Sequence, residues 1–353
     1  MFSAAEPLVL LSPADQAALC VLAAAALDRA VGDPRWCLHP VVVMGWCIGW
    51  LRHQAECWAA DRPLRLRLAG AWITAVLVLA SGTAGWGVER LALWSGSEIT
   101  RLALQLPLLL GLASALAGRS LEQAVHQVLQ HLREDSDVQA ARQALSWIVG
   151  RNTSGLSPEE IVRAAAETSS ENAVDGLFAP LFWMLIGVGL WSAGAVAGPG
   201  PLALAWGFKA TSTLDSMLGY RCGRLRWLGT AGARLDDALV WLPCRLVALT
   251  LPLVAGCNPN RAWRLQVAAR RDGAADPSPN AGVSQAIYAH VVAVQLGGMN
   301  RYGDQLKAKP ILAAGCSAPT EESVAQMLQL NLRLELLWLS AALAAVLLIS
   351  SLQ

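Results

Sequence analysis

The sequence carries little charge. Only 15% of its 353 residues are Asp, Glu, Lys or Arg, whereas 55% are hydrophobic and the mean hydropathy is +0.42. Soluble domains usually have a smaller apolar share and about a quarter of charged residues. The composition therefore disfavours a soluble protein and predicts an integral membrane protein.

The basic residues form no run that would bind nucleic acid. The net charge is +1, and no cluster of Lys and Arg is interleaved with aromatic side chains. A protein that grips a phosphate backbone usually shows such a basic patch. Nucleic acid is therefore not an expected partner.

The cysteines and the familiar catalytic signatures are equally uninformative. No two of the eight cysteines lie closer than ten residues, and no Cys-x-x-C pair occurs, so neither a zinc site nor a disulfide framework is indicated. Gly150 and Gly155 have the spacing that begins a P-loop, but Leu156-Ser157 stands where Lys-Ser/Thr is needed. Gly-x-Ser-x-Gly and His-Glu-x-x-His are absent.

The sequence is rich in long apolar runs. About 20 apolar residues cross a hydrocarbon core of about 30 Å, and four runs reach that length: 68–88, 99–118, 178–197 and 334–350. The run 8–27 contains Asp15 but has no Lys or Arg before Arg29, so we interpret it as a retained first helix rather than a cleaved signal. A bilayer admits only helices or closed barrels, and alternation with a period of two is nearly absent. The predicted fold class is all-α, a multi-pass helical bundle.

A sixth run, 238–257, is ambiguous because it contains Pro243 and Arg245. A charge at the bilayer centre costs at least about 2.5 kcal/mol. A true crossing here would also place the polar residues that follow on the far side of the membrane from the other polar segments. We therefore interpret this run as a re-entrant or in-plane segment.

The arginines predict the orientation of the chain. Six lie within 29–67 and five within 119–163, whereas the connection between 88 and 118 has only Arg90 and Arg101. Loops rich in Lys and Arg stay in the cytoplasm. We interpret 1–353 as one membrane-embedded domain of the inner membrane with five parts: a cytoplasmic loop at 29–67, a cytoplasmic helical segment at 119–177, a membrane core at 178–257, a cytoplasmic-side loop at 258–333 and a C-terminal span at 334–353.

The polar connections contain signals for helix starts. Ser157-Pro158-Glu159-Glu160 has the residues of a capping box with proline at the first helical position, and the segment from Ser120 to Gln123 repeats the pattern. Three amphipathic cytoplasmic helices are predicted, at 121–133, 138–149 and 158–174. The last is expected to stop near Gly176 and Pro180.

Four charged residues of that last helix fall on one face. Arg163, Glu167, Glu171 and Asp175 follow one another at intervals of four, which rotates each by only about 40° from the previous one. One interpretation is a solvated ladder in which Arg163 balances Glu167. The other is a platform for magnesium and phosphate at the membrane surface, because hard divalent cations prefer carboxylate oxygens.

Further polar residues lie inside apolar surroundings. The stretch WGFKATSTLDSMLGYR puts Lys209 among hydroxyl side chains, with Asp215 about 120° away. Lys209 is either functional or a lysine that extends to the lipid interface. The other such stretches are ARLDDALVWLPCRL, with Arg234, Asp236 and Asp237, ADPSPNAGVSQA, with Asn280, and DRAVGDPRWCLHPVVVMG, with Asp28, Asp33 and His39.

Taken in order, these polar segments resemble a known family. The blocks GDPRWCLHPVVVMG, GRNTSGLSPEEIVRAAAETSSENAVDGLFAPLFW, KATSTLDSMLGYR, ARLDDALVWLPCRL and SPNAGVSQAIYAHVVAVQLGGMNRYG are similar to those of adenosylcobinamide-phosphate synthase, the CobD/CbiB family of cobalamin biosynthesis. The resemblance runs from about residue 28 to residue 315. Two positions depart from the family pattern: Asn152 stands where Asp is usual, and Ser212 where Asn is common.

The resemblance implies a membrane enzyme of cobalamin assembly. Such an enzyme forms an amide between (R)-1-amino-2-propanol, or its phosphate, and the propionate carboxyl of adenosylcobyric acid. ATP is the implied co-substrate and Mg²⁺ the implied metal. Membrane lipid surrounds the chain, and other membrane enzymes of cobalamin assembly are candidate partners.

The roles expected of the individual side chains follow from this chemistry. Magnesium ligands are expected at Glu167, Glu171 and Asp175. Catalytic roles, as a cation beside the transferring phosphoryl group or as general base, are expected of Lys209, Asp215, Asp237 and His39. Substrate-binding side chains are expected at Arg151, Asn172, Arg221, Arg234, Asn280 and Asn300, with Arg151 also neutralising phosphoryl charge.

Two other classes of function stay open. A non-enzymatic inner-membrane regulator of the AmpE type would show no nucleotide-dependent turnover and no need for the acidic residues. A corrinoid or amine transporter would use Lys209 and Asp215 to line a path at the midplane. Against a transporter, no inverted repeat is visible in the sequence.

Overall fold

The computed structural model describes residues 12–34, 38–94, 98–133, 137–302 and 305–352, and within them the chain is a helical bundle. The first seven helices are α1 (Pro13–Val31), α2 (Pro40–Ala59), α3 (Pro63–Ala92), α4 (Glu98–Ala113), α5 (Gly118–Arg133), α6 (Val138–Ser146) and α7 (Pro158–Ala173). A π-helical turn (Val174–Phe178) joins α7 to α8 (Ala179–Ser192). The remaining helices are α9 (Pro201–Leu218), α10 (Leu225–Leu228), α11 (Thr230–Val254), α12 (Pro259–Gly273), α13 (Ala281–Val292) and α14 (Glu321–Leu352).

Within the described ranges, four helical stretches are long and apolar enough to cross a membrane. They are Pro63–Ala92, Pro158–Ser192, Thr230–Val254 and Glu321–Ile349, and a fifth crossing is possible if Ala103–Ala113 and Gly118–Arg133, bent by 42°, count as one span. The predicted runs 68–88 and 334–350 lie within two of these stretches. The prediction of an all-α membrane bundle is therefore confirmed.

Several predicted boundaries are wrong for identifiable reasons. Asp15 does not interrupt the first helix, because it forms a capping box with Ser12 at the start of α1; residues 8–11 of that prediction lie outside the described residues. The segment 29–67 is not a loop, since it contains α2 and the beginning of α3. The helix predicted at 158–174 does not stop near Gly176 but continues through the π-helical turn into α8.

The segment 258–333 is also more ordered than a loop. It holds α12, α13 and an antiparallel hairpin of β1 (Leu296–Tyr302) and β2 (Gln305–Leu312), with Asn300 opposite Lys307. The hairpin was not predicted from the sequence, although the stretch Leu306-Lys307-Ala308-Lys309 does alternate. With only two strands, the alternation is too short to outweigh the helical pattern around it.

Helices α3 and α9 run antiparallel at the centre of the bundle. Gly70 near the start of α3 lies against the carbonyl of Leu228, which follows α9, whereas Gly85 near its end lies against Ala203 at the start of α9. We call the end of the bundle where α3 begins and α9 finishes the polar end. At the opposite end the fully buried carboxylate of Glu89 accepts hydrogen bonds from the backbone N–H groups of Gly200 (2.9 Å), Leu202 (2.6 Å) and Ala203 (3.0 Å).

The helix α11 contradicts the re-entrant interpretation of 238–257. It is continuous from Thr230 to Val254 although Pro243 and Pro252 lie within it. Its first turn lies at the polar end, where Gly232 contacts Leu214. The alternative interpretation, a helix in the plane of the membrane, stays a prediction.

The chain that follows α11 nevertheless returns to the polar end. The Nδ2 of Asn280, just before α13, donates to the carbonyl of Asp237 near the start of α11 at 2.8 Å. Gln285 on α13 donates to Glu171, and the N–H of Gly297 on β1 donates to Glu167 at 3.0 Å. The SPNAG block and the hairpin thus lie beside the acidic face of α7.

Candidate active site

Carboxylates from six parts of the chain approach one another at the polar end. Their charges act on each other or on Lys209, and we call them the acidic cluster: Asp28 of α1, Asp33 of the loop after α1, Glu171 of α7, Asp175 of the π-helical turn, Asp215 of α9, and Asp236 and Asp237 of α11. Four of the sequence blocks that resemble the CobD/CbiB family therefore meet here.

Lys209 is the cation shared by this cluster. Its ammonium group interacts electrostatically with Asp33, Asp175, Asp28 and Asp236. The side chain is half-buried in the middle of α9, and within the described residues it makes no direct ion pair. An ammonium group surrounded by carboxylates but bonded to none of them is available to an incoming anion.

The π-helical turn sets the position of Asp175. A π-helical turn inserts one residue into the α-helical repeat and often occurs at functional sites. The carbonyl of Gly176 in this turn accepts a hydrogen bond of 2.9 Å from the N–H of Ala117, in the bend between α4 and α5. Asp175 consequently faces Asp215, Asp236 and Lys209 on α9 and α11.

Glu167 belongs to an internal ion pair. Its Oε2 lies 2.6 Å from Nη2 of Arg151 and its Oε1 accepts the N–H of Gly297 at 3.0 Å, and both charged side chains are almost fully buried. Arg163, which the ladder interpretation paired with Glu167, instead donates to the carbonyls of Gly297 and Met299. The ladder interpretation is therefore wrong.

These contacts also correct the predicted magnesium site. Both oxygens of Glu167 are occupied by protein donors, Glu171 accepts from Gln285, and Asp175 faces different helices. Within the described part of the chain, no group of three or more His, Cys, Asp or Glu side chains is arranged to hold a metal ion. The three carboxylates therefore do not fit a shared metal site, and Arg151 is committed to Glu167 rather than to a phosphoryl group.

Asp33 and His39 form a pair at the edge of the cluster. Nε2 of His39 lies 3.3 Å from Oδ1 of Asp33, and the hydroxyl of Ser120 donates to Oδ2 of Asp33 at 2.7 Å. Partial burial raises the pKa of Asp33, but the hydrogen bonds from His39 and Ser120 outweigh it, so the pKa lies below its ordinary value. Nδ1 of His39 accepts from the N–H of Val41 at the start of α2. The backbone of α2 thus engages Nδ1 of His39, and Nε2 is the ring nitrogen that faces Asp33.

The predicted capping box at Ser120 is wrong. The helix α5 begins two residues earlier, at Gly118, and its first N–H groups are capped from another helix. Oδ2 of Asp28 accepts the N–H of Gly118 at 3.0 Å and that of Arg119 at 3.2 Å. Asp28 therefore ties α1 to α5, a role that requires knowledge of the tertiary fold.

A second group of contacts joins α11 to α13. Oδ1 of Asn280 accepts a hydrogen bond of 2.5 Å from Arg245, while its Nδ2 donates to the backbone carbonyl of Asp237. Both polar atoms of the amide are therefore bonded within the protein. Asn280 is therefore not free to bind substrate, contrary to the expectation. Oδ1 of Asp237 lies 3.4 Å from the hydroxyl of Ser278. Oδ1 of the neighbouring Asp236 is buried and has no hydrogen-bond donor within the described residues.

The other expected binding residues are dispersed. Asn172 donates to the carbonyl of Ile148 at 3.4 Å. Nδ2 of Asn300 on β1 is buried and unpaired within the described residues, so it retains a free donor. Arg221 is exposed and acts on the charge of Asp237, whereas Arg234 is exposed at the start of α11.

Three contacting residues were not found from the sequence. Gln285 contacts Glu171 from α13, and Lys309 on β2 lies 3.9 Å from Asp276 and within electrostatic range of Glu171. Gln285 lies within the quoted SPNAG block, whereas Lys309 and Asp276 become visible only when the hairpin is placed. The acidic cluster is thus flanked by side chains from α13 and β2.

The chain is similar to proteins of known family. The family described as CobD/Cbib protein matches residues 21–331. "Cobalamin biosynthesis protein CobD" of Synechocystis sp. is 40% identical over 304 residues, which are 86% of this chain and 84% of that protein. "Cobalamin biosynthesis protein CbiB" of Salmonella arizonae is 39% identical over 289 residues, 80% and 83% of the two chains. "Cobalamin biosynthesis protein CobD" of Pelobacter propionicus is 37% identical over 287 residues, 81% and 82%.

No solved structure matches the chain. The family match covers most of the sequence, and the relatives align over more than four fifths of their own length. The blocks that meet at the polar end all lie within the matched residues. The chain therefore belongs to the CobD/CbiB family.

Proposed function

We propose that this chain acts in cobalamin biosynthesis as adenosylcobinamide-phosphate synthase, an inner-membrane ligase that forms an amide bond. The names of its relatives support the pathway. The proposed substrates are adenosylcobyric acid, (R)-1-amino-2-propanol or its phosphate, and ATP. The candidate partners among other membrane enzymes of cobalamin assembly belong to the same proposal.

The position of Lys209 inside the acidic cluster is the observation that carries the proposal. Amide ligation needs a cation for the phosphoryl group that activates the carboxylate and a base for the amine. Lys209 is the proposed cation, and the candidate bases are Asp215 on the same helix and Asp236 and Asp237 on α11. In a polar core with only a structural role, the ammonium group of Lys209 would be expected to form a direct ion pair with one of these carboxylates.

The proposed reaction has two steps. The propionate carboxylate of the corrinoid attacks the γ-phosphorus of ATP, so that a C–O–P linkage forms and ADP leaves. The neutral amine then attacks the acyl carbon, inorganic phosphate leaves with the electron pair of the C–O bond, and the amine proton passes to a carboxylate of the cluster. Asp236 suits this last role because its buried Oδ1 has no donor within the described residues.

Magnesium enters the proposal only as the counter-ion of ATP. Glu167 is not proposed as a ligand, since Arg151 and the N–H of Gly297 already bind its two oxygens. No step is assigned to a metal held by the three carboxylates of α7 and the π-helical turn. A requirement for Mg²⁺ is therefore a property of the nucleotide in this scheme.

The direct test uses the purified full-length chain in detergent. It is incubated with adenosylcobyric acid, aminopropanol phosphate and Mg²⁺-ATP, and the product mass is measured, with omission of each component in turn. The expected product is the amide, formed only when ATP is present. Absence of ligation with active, folded protein would overturn the proposed reaction.

A growth experiment separates this proposal from a regulator or a transporter. A strain that lacks the gene should grow when supplied with cobinamide but not with cobyric acid, because only cobinamide lies beyond the ligation. Equal rescue by the two corrinoids would contradict a ligase at this step.

A further inference from the structure

An apolar groove lies on the outside of the bundle between α2 and α3, far from the contacts that define the acidic cluster. Its volume is about 400 Å³. Its walls are two facing stripes with helical spacing: Leu51, Ala55 and Trp58 on α2, and Leu68, Ala69 and Trp72 on α3. One polar side chain, Gln54, lines it as well.

The groove faces lipid rather than protein. Trp58, Leu68 and Trp72 are 57%, 58% and 58% exposed, and α3 is one of the helices long and apolar enough to cross a membrane. Tryptophan is enriched at the boundary between hydrocarbon and headgroups. An exposed apolar surface in this place is covered by acyl chains.

Two arginines of the described residues without an acidic partner lie at the end of the groove that is nearest the polar end of the bundle. Arg65 lies one turn before Leu68 and Ala69 on the same face of α3, and its guanidinium carbon is 5.5 Å from the ring centroid of Trp58. Arg62 lies a further turn back. Both arginines are exposed, and neither has an acidic partner within the described residues.

Two other arginines near this end are paired: Arg52 lies 2.7 Å from Glu56, and Arg224 lies 2.8 Å from Asp61. Arg67 and Arg226 instead stack on Trp227, which does not line the groove. Within the described residues, Arg65 is the arginine that stacks on a tryptophan of the groove. Anionic headgroups are attracted by such charge.

We propose that this groove binds an anionic glycerophospholipid of the surrounding membrane. Its phosphate pairs with Arg65 and Arg62, and an acyl chain lies against Trp58, Leu68 and Trp72. The apolar walls exclude a free phosphate ion as the natural occupant, and the unpaired arginines exclude an uncharged lipid. The site is separate from the proposed ligation and does not depend on it.

The test is native mass spectrometry of the full-length chain released from a neutral detergent. Dioleoylphosphatidylglycerol and dioleoylphosphatidylcholine are titrated separately, and the retained lipid is counted by mass. We expect phosphatidylglycerol to bind more tightly, and Arg65→Gln to weaken it about fivefold, since one arginine is lost from an anionic contact.

A matched control is available at the same end of the bundle. Arg226 is also an exposed arginine stacked on a tryptophan, 5.0 Å from the ring centroid of Trp227, but Trp227 does not line the groove, whereas Trp58 does. Arg226→Gln should leave phosphatidylglycerol binding unchanged. Circular dichroism of both variants verifies that the helices are intact.

Several outcomes would overturn the proposal. Equal affinity for the two lipids would remove the role of charge, and an equal loss in the two variants would make the effect unspecific. Competition by inorganic phosphate alone would indicate a simple anion site. A dimer that Arg65→Gln dissociates would show that a second copy of the chain, and not a lipid, occupies the groove.

Discussion

At the scale of single residues, the acidic face of α7 divides into two roles. Glu167 is bound by Arg151 and by the backbone of β1, whereas Asp175 and Glu171 belong to the acidic cluster. Side chains that share one face of a helix therefore serve different parts of the fold. Their functions must be tested one residue at a time.

Lys209→Met should lower kcat/KM for amide formation by a factor of about 100 or more, because a cation that faces developing negative charge contributes about that much. The assay is the product-mass measurement with purified protein. Arg264→Gln, an exposed arginine of α12 away from the cluster, is the control and should retain full activity. A Lys209→Met variant as active as its parent would contradict the assigned role.

Glu167→Gln and Glu171→Gln should differ in kind. Removing the charge of Glu167 leaves Arg151 buried and unpaired, which costs about 3 kcal/mol of unfolding free energy. Glu171→Gln keeps a hydrogen-bonding group for Gln285 and should preserve stability and membrane insertion. Melting temperatures in detergent compare the two variants. Equal melting temperatures for the two variants would contradict this division.

The stability of the chain should fall in acid partly through Asp272 on α12. Burial raises the pKa of this carboxyl, but hydrogen bonds from His290 (2.9 Å) and the N–H of Ala313 (3.2 Å) outweigh it and place the pKa below its ordinary value. A lowered pKa stabilises the fold above the unfolded value of about 3.9, and that contribution is lost as the pH falls through the lower, folded value.

Asp272→Asn should therefore melt at a lower temperature than the parent at pH 6. The difference should shrink as the pH falls toward the lowered pKa of the folded state, because the parent carboxylate then becomes protonated as well. Thermal unfolding between pH 3 and pH 6 measures this. A difference that grows toward acid would show that Asp272 has the opposite sign of effect.

At the scale of elements, the close contact of α3 with the chain around α9 depends on small residues. A Cβ on Gly70 would lie 1.9 Å from the carbonyl oxygen of Leu228, whereas a Cβ on Gly87 of the same helix would meet nothing within 4 Å. The two glycines are thus a matched pair in one helix. One is required by packing and the other is not.

Gly70→Ala should lower the unfolding free energy by about 1–3 kcal/mol, because the backbone must shift to admit the methyl group. Gly87→Ala should be neutral or stabilising by up to about 1 kcal/mol, since alanine is the better helix former. Melting temperatures of the two variants in the same detergent compare them. A Gly70→Ala variant as stable as the parent would show that α3 and α10 are not held at this distance.

At the scale of the whole molecule, the sequence was sufficient for the class and the family but not for the connections within the bundle. Apolar runs of about 20 residues predict helices because a bilayer allows little else. The bend between α4 and α5, the continuation of α7 into α8 and the hairpin depend on tertiary contacts, such as the hydrogen bond from Ala117 to Gly176. The spacing of apolar residues along the sequence carries no information about such contacts.

The same limit applies to the candidate site. Lys209, Asp215, Asp237 and Asp175 were identified from polar residues in apolar surroundings, and the structure brings them together. Glu167 and Asn280 looked equally functional in the sequence, yet their polar atoms are occupied by Arg151, Gly297, Arg245 and the carbonyl of Asp237. The sequence does not show whether a buried polar group already has a hydrogen-bond partner, whereas the structure does.

The contacts of the chain after α11 make a prediction about topology. Cys316 follows the hairpin that is bound to α7, and Cys222 lies between α9 and α10 at the polar end, so both should react with a membrane-impermeant maleimide from one side only. Right-side-out and inside-out vesicles provide the comparison, and the positive-inside rule predicts the cytoplasmic side. A cysteine introduced at Ala195, beyond α8, should react from the other side. Labelling of Cys316 and Cys222 from opposite sides would contradict this arrangement.

The three hydrogen bonds that the start of α9 donates to Glu89 have a mechanical consequence. They fasten the helix that carries Lys209 and Asp215 at the end remote from those side chains. A helix held at one end by such hydrogen bonds cannot slide along its own axis, although its other end can still tilt. Movement at the polar end must therefore come from the hairpin and the short helices beside α7 and α11, while Lys209 keeps its position along the axis of α9.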